Sequence, residues 1–210
     1  MFNRAVAFAA FLSASAMPAF AGGVAEPVET PEETASPVAA AVVPGAFAGW
    51  YGALEMGRAS GSGTENPGPG WIDIELEDGN CAGGALGHNE QSGKLVYGAE
   101  LRRLACTDFS ALAGQKPFNG ITDLRFRLGA TLGHRTMLYG ALGYSWVNFE
   151  APFGKQTITG PNAGVGLEFH ATDKVFAGVD YTARSLTGEG GGTDFDFDVA
   201  TTSVRLGVRF

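Results

Sequence analysis

The stretch "VRLGVRF", residues 204–210, alternates apolar side chains with charged or tiny ones up to its last residue. Val204, Leu206, Val208 and Phe210 share one face, while Ser203, Arg205, Gly207 and Arg209 share the other. A period of two belongs to a β-strand, whose successive side chains point to opposite sides. One side is apolar and the other is not, so the two sides of this strand meet different surroundings.

The same period runs back to Phe47. It predicts eight strands, near 49–58, 81–90, 95–105, 121–133, 137–148, 159–170, 175–185 and 199–210, with no long helical pattern between them. The connections also alternate. Short ones at "QSGK" (91–94), "HRT" (134–136) and "ATDK" (171–174) interleave with longer ones at 59–80, 106–120, 149–158 and 186–198. Short turns at one end and long loops at the other are the plan of an up-and-down barrel. The strands also suit a tilted membrane crossing, which takes about 9–11 residues.

Parity then sorts the faces. The apolar set holds Trp50, Leu54, Met56, Tyr97, Leu101, Leu124, Phe126, Leu128 and Leu132. It continues with Leu138, Leu142, Tyr144, Trp146, Val165, Leu167, Phe169, Val175, Val179 and Tyr181, and ends in the 204–210 row. The opposite set holds the acids Glu55, Glu100, Asp123, Glu168 and Asp180 and the arginines Arg102, Arg125, Arg127, Arg184, Arg205 and Arg209, spaced mostly by Gly, Ala, Ser and Thr. A water-soluble barrel or sandwich hides its apolar face; here the charges fall on the small-residue face that a narrow barrel turns inward. The expected fold is therefore all-β, an eight-stranded antiparallel up-and-down transmembrane barrel with hydrocarbon outside. Trp50, Trp146, Phe169 and Phe210 are expected in the aromatic girdles at the two membrane surfaces. An eight-stranded barrel is just wide enough for side chains to fill it. Its charges are expected to interlock, because an unpaired buried charge costs several kcal/mol. Such a plug closes the lumen; an ion path along these charges is the alternative, against which the narrow bore counts.

Before the barrel, "MFNRAVAFAAFLSASAMPAFAGG" has a positive start at Arg4, a short apolar run and small residues at Ala19 and Ala21. It reads as an export signal over 1–21, and no run approaches the roughly 18–20 apolar residues of a membrane helix. Residues 22–46, rich in Pro, Ala and Glu, read as a solvated linker that precedes a barrel over 47–210. The net charge of −8 argues against nucleic acid as a partner. The 32 glycines suit closely approaching strands and tight turns.

An exported chain with two cysteines is expected to oxidise them. Cys81 and Cys106 lie twelve residues out on either side of the Gly93–Lys94 turn, so a hairpin in that register sets them opposite one another. The bridge would clip the long-loop end of the hairpin and add about 3 kcal/mol. Redox sensing is the alternative, for which only Arg102 and Arg103 supply nearby cations.

Chemistry has little to work with. The histidines, His88, His134 and His170, fall near different turns, with no nucleophile–base–acid arrangement and no His/Cys cluster for a metal. "GEGGGT", 188–193, lacks the strand-to-helix context of a phosphate cradle and reads as a flexible loop. In "DFDFDVA", 194–200, the phenylalanines fall on the parity that later becomes charged. Either the segment projects above the membrane, the preferred reading, or a bulge shifts its phase. Asp194, Asp196 and Asp198 then read as part of an acidic solvated loop, with the gathering of divalent cations that bridge lipopolysaccharide as the alternative.

Five blocks, "GWYGALEMG", "GGALGHNEQSGKLVYGAEL", "DLRFRLGATLGHRTMLYGALGYSW", "NAGVGLEFHATDKVFAGVDY" and "TTSVRLGVRF", occur in order. Together they resemble the small outer-membrane β-barrel family that includes immunogenic surface proteins of alphaproteobacteria and is related to the OmpA transmembrane domain. The resemblance implies that Glu100 and Glu168 match acidic inner-face positions and that Arg125 and Arg127 match an "RxRxG" strand. It implies that Val204, Leu206, Val208 and Phe210 form the terminal signal read by the outer-membrane assembly machinery. His88 stands where that family usually has Tyr. Lipid A deacylase barrels carry a His-x-Ser pair, and the nearest match here is "HAT", His170 to Thr172. The expectation is a non-enzymatic, cofactor-free monomer in the outer membrane. Its partners would be membrane lipids, lipopolysaccharide and a host or cell-surface ligand at the loops; a narrow porin for small solutes or ions is the alternative, and a lipid-modifying outer-membrane enzyme the third and least favoured.

Overall fold

The computed structural model describes residues 45–66, 68, 70–107, 120–151, 154–190 and 192–210. The export signal, most of the linker and most of the 106–120 connection lie outside the described residues. Among the described residues, nine strands run β1 Gly49–Asn66, β2 Ile72–Glu75, β3 Gly79–Ser92, β4 Leu95–Thr107, β5 Gly120–Leu132, β6 Thr136–Ala151, β7 Gly154–His170, β8 Val175–Gly190 and β9 Thr193–Arg209. All but β2 form an antiparallel meander that closes on itself, because β9 returns to β1 from Tyr51↔Arg209 to Asn66↔Asp194. Closure pairs both edges of the sheet, which an open sheet cannot do. At the short-turn end the reversals use Gly93 (φ 59°) and Gly133 (φ 78°), in the left-handed region that glycine enters without a Cβ clash.

The long-loop end departs from the sequence reading. Segments 149–158 and 186–198 are not free loops: β6–β7 and β8–β9 continue as paired hairpins to Ala151↔Gly154 and Gly190↔Thr193. The first long connection contains β2, which pairs with β1 above the start of β3 (Ser62↔Glu75 to Glu65↔Ile72). Of the glycines of "GEGGGT", Gly188 and Gly190 accordingly lie in β8, and Gly191 lies outside the described residues. No bulge shifts the phase of β9, whose register runs unbroken from Asp194 to Val208 against its neighbours. The segment does extend beyond the expected strand, as a continuation in which Phe195, Phe197 and Val199 turn inward.

The interior is layered along the barrel axis. Toward the long-loop end lies an apolar layer of Leu104, Ile121, Val147, Ile158, Leu186 and Phe197 with their neighbours. Charged side chains fill the middle. Toward the short-turn end, Tyr51 and Phe176 pack edge to face at 5.8 Å between ring centres, and Phe47 joins Val96, Met137 and Tyr139. Large rings thus stand on the inner face beside the small residues that mostly space its charges. The large rings fit because glycines lie beneath them: a Cβ on Gly166 would collide with the Tyr139 ring, and one on Gly207 with the Phe176 ring.

The outer face is the reverse. Leu54 is 74 % exposed and Leu142 66 %, whereas inward Arg102 is 0 % and Arg125 1 % exposed. Among the described residues, no helix is long and apolar enough to cross a membrane; this apolar wall is built by strands.

Candidate functional site

The lumen is the most elaborate chemical construction in the chain. Alternation turns one side chain in two inward, and closure brings inward residues from distant strands within reach of each other. Asp123 on β5 accepts from Arg102 Nη2 (2.6 Å) and Nε (2.9 Å), and from Arg184 Nη2 (2.7 Å) and Nε (2.8 Å). Ser145 donates to Asp123 Oδ1 at 2.6 Å, the oxygen that Arg184 Nε also reaches, and Asn162 in turn donates to Ser145 at 2.8 Å. One carboxylate thus ties together β4, β5, β6, β7 and β8.

Other bonds cross the bore. Arg102 and Arg125 both reach Asp180 on β8, at 2.8 and 2.9 Å. Arg205 on β9 reaches Glu100 on β4 at 2.5 Å and Glu55 at 3.4 Å. Glu100 also pairs with Arg125, and accepts from Tyr51 at 2.8 Å and from Arg127 at 3.4 Å. Arg127 donates to Glu168 at 3.0 Å, and its guanidinium lies 3.9 Å from the centre of the Tyr139 ring. Tyr139 donates to Asp180 at 2.7 Å and accepts from Arg205 at 3.0 Å. Glu55 accepts from Ser203 at 3.2 Å and lies 3.5 Å from Arg102.

The residues singled out on the inner parity therefore lie in one network. Arg209 joins it at the short-turn end, donating to Glu168 at 2.7 Å, to His170 Nε2 at 3.2 Å and to the Phe47 carbonyl. Phe47 packs against His170, with ring centres 4.3 Å apart, and its amide donates to Gln91 at 3.0 Å. Sequence reasoning missed Tyr51, Tyr139, Ser145 and also Thr182, which accepts from Arg125 at 2.8 Å and donates to Asp180 at 2.7 Å. Their parity was legible, but their reach across the bore was not. It also missed the inward apolar layer.

Cys81 and Cys106 are disulfide-bonded partners across β3 and β4, facing into the apolar layer. Val204, Leu206, Val208 and Phe210 line the outside of the β9–β1 seam, where the Phe210 amide donates to the Trp50 carbonyl at 3.0 Å. The histidines are dispersed. His88 packs against Trp50 at 5.0 Å and lies 3.8 Å from Glu90; His170 is buried under Phe47; His134 stands exposed in a turn.

Above the apolar belt, the outer face of β2, β1, β9 and β8 changes character. Asp73, Thr64, Asp196 and Thr187 form one row, and Glu75, Ser62, Asp198 and Ser185 the next. Partial burial and then the neighbouring Asp198 raise the Asp196 carboxyl above the ordinary aspartate range.

No family model matches the chain, and no curated protein matches it. Solved structures do. Neisserial surface protein A is 12% identical with a TM-score of 0.48, covering 77% of this chain and 97% of that one. The outer membrane protein OprG from Pseudomonas aeruginosa is 13% identical with a TM-score of 0.48, covering 79% and 98%. Ail, the attachment invasion locus protein of Yersinia pestis, is 15% identical with a TM-score of 0.45, covering 77% and 99%. At such identities and TM-scores, what this barrel does must be read from its own two faces.

Proposed function

We propose that the chain is a non-conducting, non-enzymatic β-barrel of the outer membrane that works as a surface protein. The observation that carries this reading is the inversion of its faces: a continuous apolar belt outside and a cross-linked set of ions inside. In water, exposing so much contiguous apolar surface would drive aggregation; in hydrocarbon it is the stable arrangement. The sealed bore leaves the outer wall and the long-loop end as the working parts. They support envelope integrity and meet lipopolysaccharide, host surfaces or other cells. The terminal apolar row at the seam serves as the mark read by the assembly machinery, and closure without a free barrel edge favours a monomer.

The test is membrane fractionation followed by gel electrophoresis of unheated and boiled samples. The barrel is expected in the outer-membrane fraction and to migrate differently until boiled. Recovery in the soluble periplasmic extract, with the same migration before and after boiling, would overturn the reading.

A further inference from the structure

The outer wall has an indentation near the short-turn end. Ala130 and Gly140 form its floor and Leu95, Leu128, Leu138 and Val165 its sides, an open depression of about 400 Å³. The register explains the shape. Ala130 stands between Leu95 and Leu138, and Gly140 between Leu128 and Val165, so two small residues interrupt a belt of large ones. A Cβ on Gly140 would meet nothing nearer than the Gly164 carbonyl at 3.9 Å, so the space above it is open.

This slot ends beneath two of the short turns. Lys94 directly precedes Leu95, and Arg135 stands three residues before Leu138. Both turns are pinned to the wall: the Thr131 amide donates to the Lys94 carbonyl at 2.8 Å, and the His170 amide to the Arg135 carbonyl at 2.7 Å. Lys94 and Arg135 are exposed, and neither forms an ion pair among the described residues. The molecule therefore offers two exposed cations, on turns whose backbones are hydrogen-bonded to the wall, at the lip of an apolar slot.

We infer that this groove binds one anionic phospholipid of the leaflet at the short-turn end. One acyl chain fills the slot, and the phosphate sits between Lys94 and Arg135. A lipid lying against a convex wall touches protein on one side; in the slot its chain gains dispersion contacts on three. Long basic side chains keep their stems on apolar surface while their heads reach the interface, which suits them to a lipid phosphate. The inference rests on the membrane placement proposed above.

Native mass spectrometry of the purified full chain in detergent, supplied separately with phosphatidylglycerol, phosphatidylethanolamine or lipid A, tests it. The wild type is expected to retain one phosphatidylglycerol under activation that strips phosphatidylethanolamine. Gly140→Leu fills the slot and is expected to lose that adduct. Lys94→Gln with Arg135→Gln is expected to retain both phospholipids equally poorly. Leu206→Ala, on another part of the belt, should keep the adduct. Equal retention by wild type and Gly140→Leu would overturn the inference, as would a preference for lipid A or a dimer in place of the lipid adduct. Every variant is also run unheated and boiled. A heat-modifiable wild-type barrel in the membrane fraction that holds no phosphatidylglycerol sinks this site alone, whereas a soluble wild type sinks the membrane placement beneath it.

Discussion

Glu100 shows how much one inward residue carries. Its carboxylate serves Arg125, Arg127, Arg205 and the Tyr51 hydroxyl, and no water-exposed position is open to those groups if it is lost. Glu100→Gln keeps the shape and removes the charge, so that Arg125, Arg127 and Arg205 lose their shared carboxylate and keep only Asp180, Glu168 and Glu55 respectively. Breaking a buried pair in this way costs about 3–5 kcal/mol, so the urea midpoint of Glu100→Gln should fall well below that of the wild type. Asp198→Asn is the matched control. Asp198 is exposed on the outer face of β9, and a change there should stay within about 0.5 kcal/mol. If the two variants unfold alike, the lumen charges are not the interlocked set that the distances describe.

At the scale of elements, the β3–β4 hairpin is closed twice, by its turn at Gly93 and by the disulfide between Cys81 and Cys106, 25 residues apart. A cross-link over a loop of that length restricts the unfolded chain and contributes about 3 kcal/mol in the loop-entropy account. Cys81→Ser with Cys106→Ser should lower the urea midpoint, and reductant should shift the wild type but not the double variant. An unchanged midpoint in both would show that the barrel wall alone fixes the hairpin. The position of this bridge was legible in the sequence because hairpin register is local: count outward from the turn and the partners follow. The faces of the strands were legible for the same reason, since a period of two needs no knowledge of the neighbours. Strand length at the long-loop end was not. Leu186, Ile158 and Phe197 continue the alternation with apolar residues turned inward, and a reader who expects charge inside takes the change of chemistry for the end of the strand. Nor were the ion-pair partners legible. Arg125 meets Asp180 from three strands away around the wall, which depends on barrel closure and on the reach of a guanidinium.

For the whole molecule, the question is whether a closed cylinder of this width passes anything. Three layers lie in series along the axis: the apolar set around Leu104 and Phe197, the ion-pair network, and the aromatic floor of Phe47, Tyr51 and Phe176. An ion moving through must first lose its water against apolar side chains, then part guanidiniums from carboxylates buried out of reach of water. Each step costs several kcal/mol, and because the layers are in series, opening one leaves the others shut. Phe47 is the most readily removed, since it belongs to the short segment before β1 and not to the wall. Phe47→Ala is therefore expected to leave the barrel as silent as the wild type in planar lipid bilayers, with no reproducible conductance steps from either. Discrete, repeatable steps from the heat-modifiable wild-type barrel would show that the ion-pair layer rearranges at little cost, and the protein would then be a narrow pore whose selectivity is set by Arg102, Arg125 and Arg205. Steps from Phe47→Ala alone would place the seal in the aromatic floor and leave the two layers above it permeable.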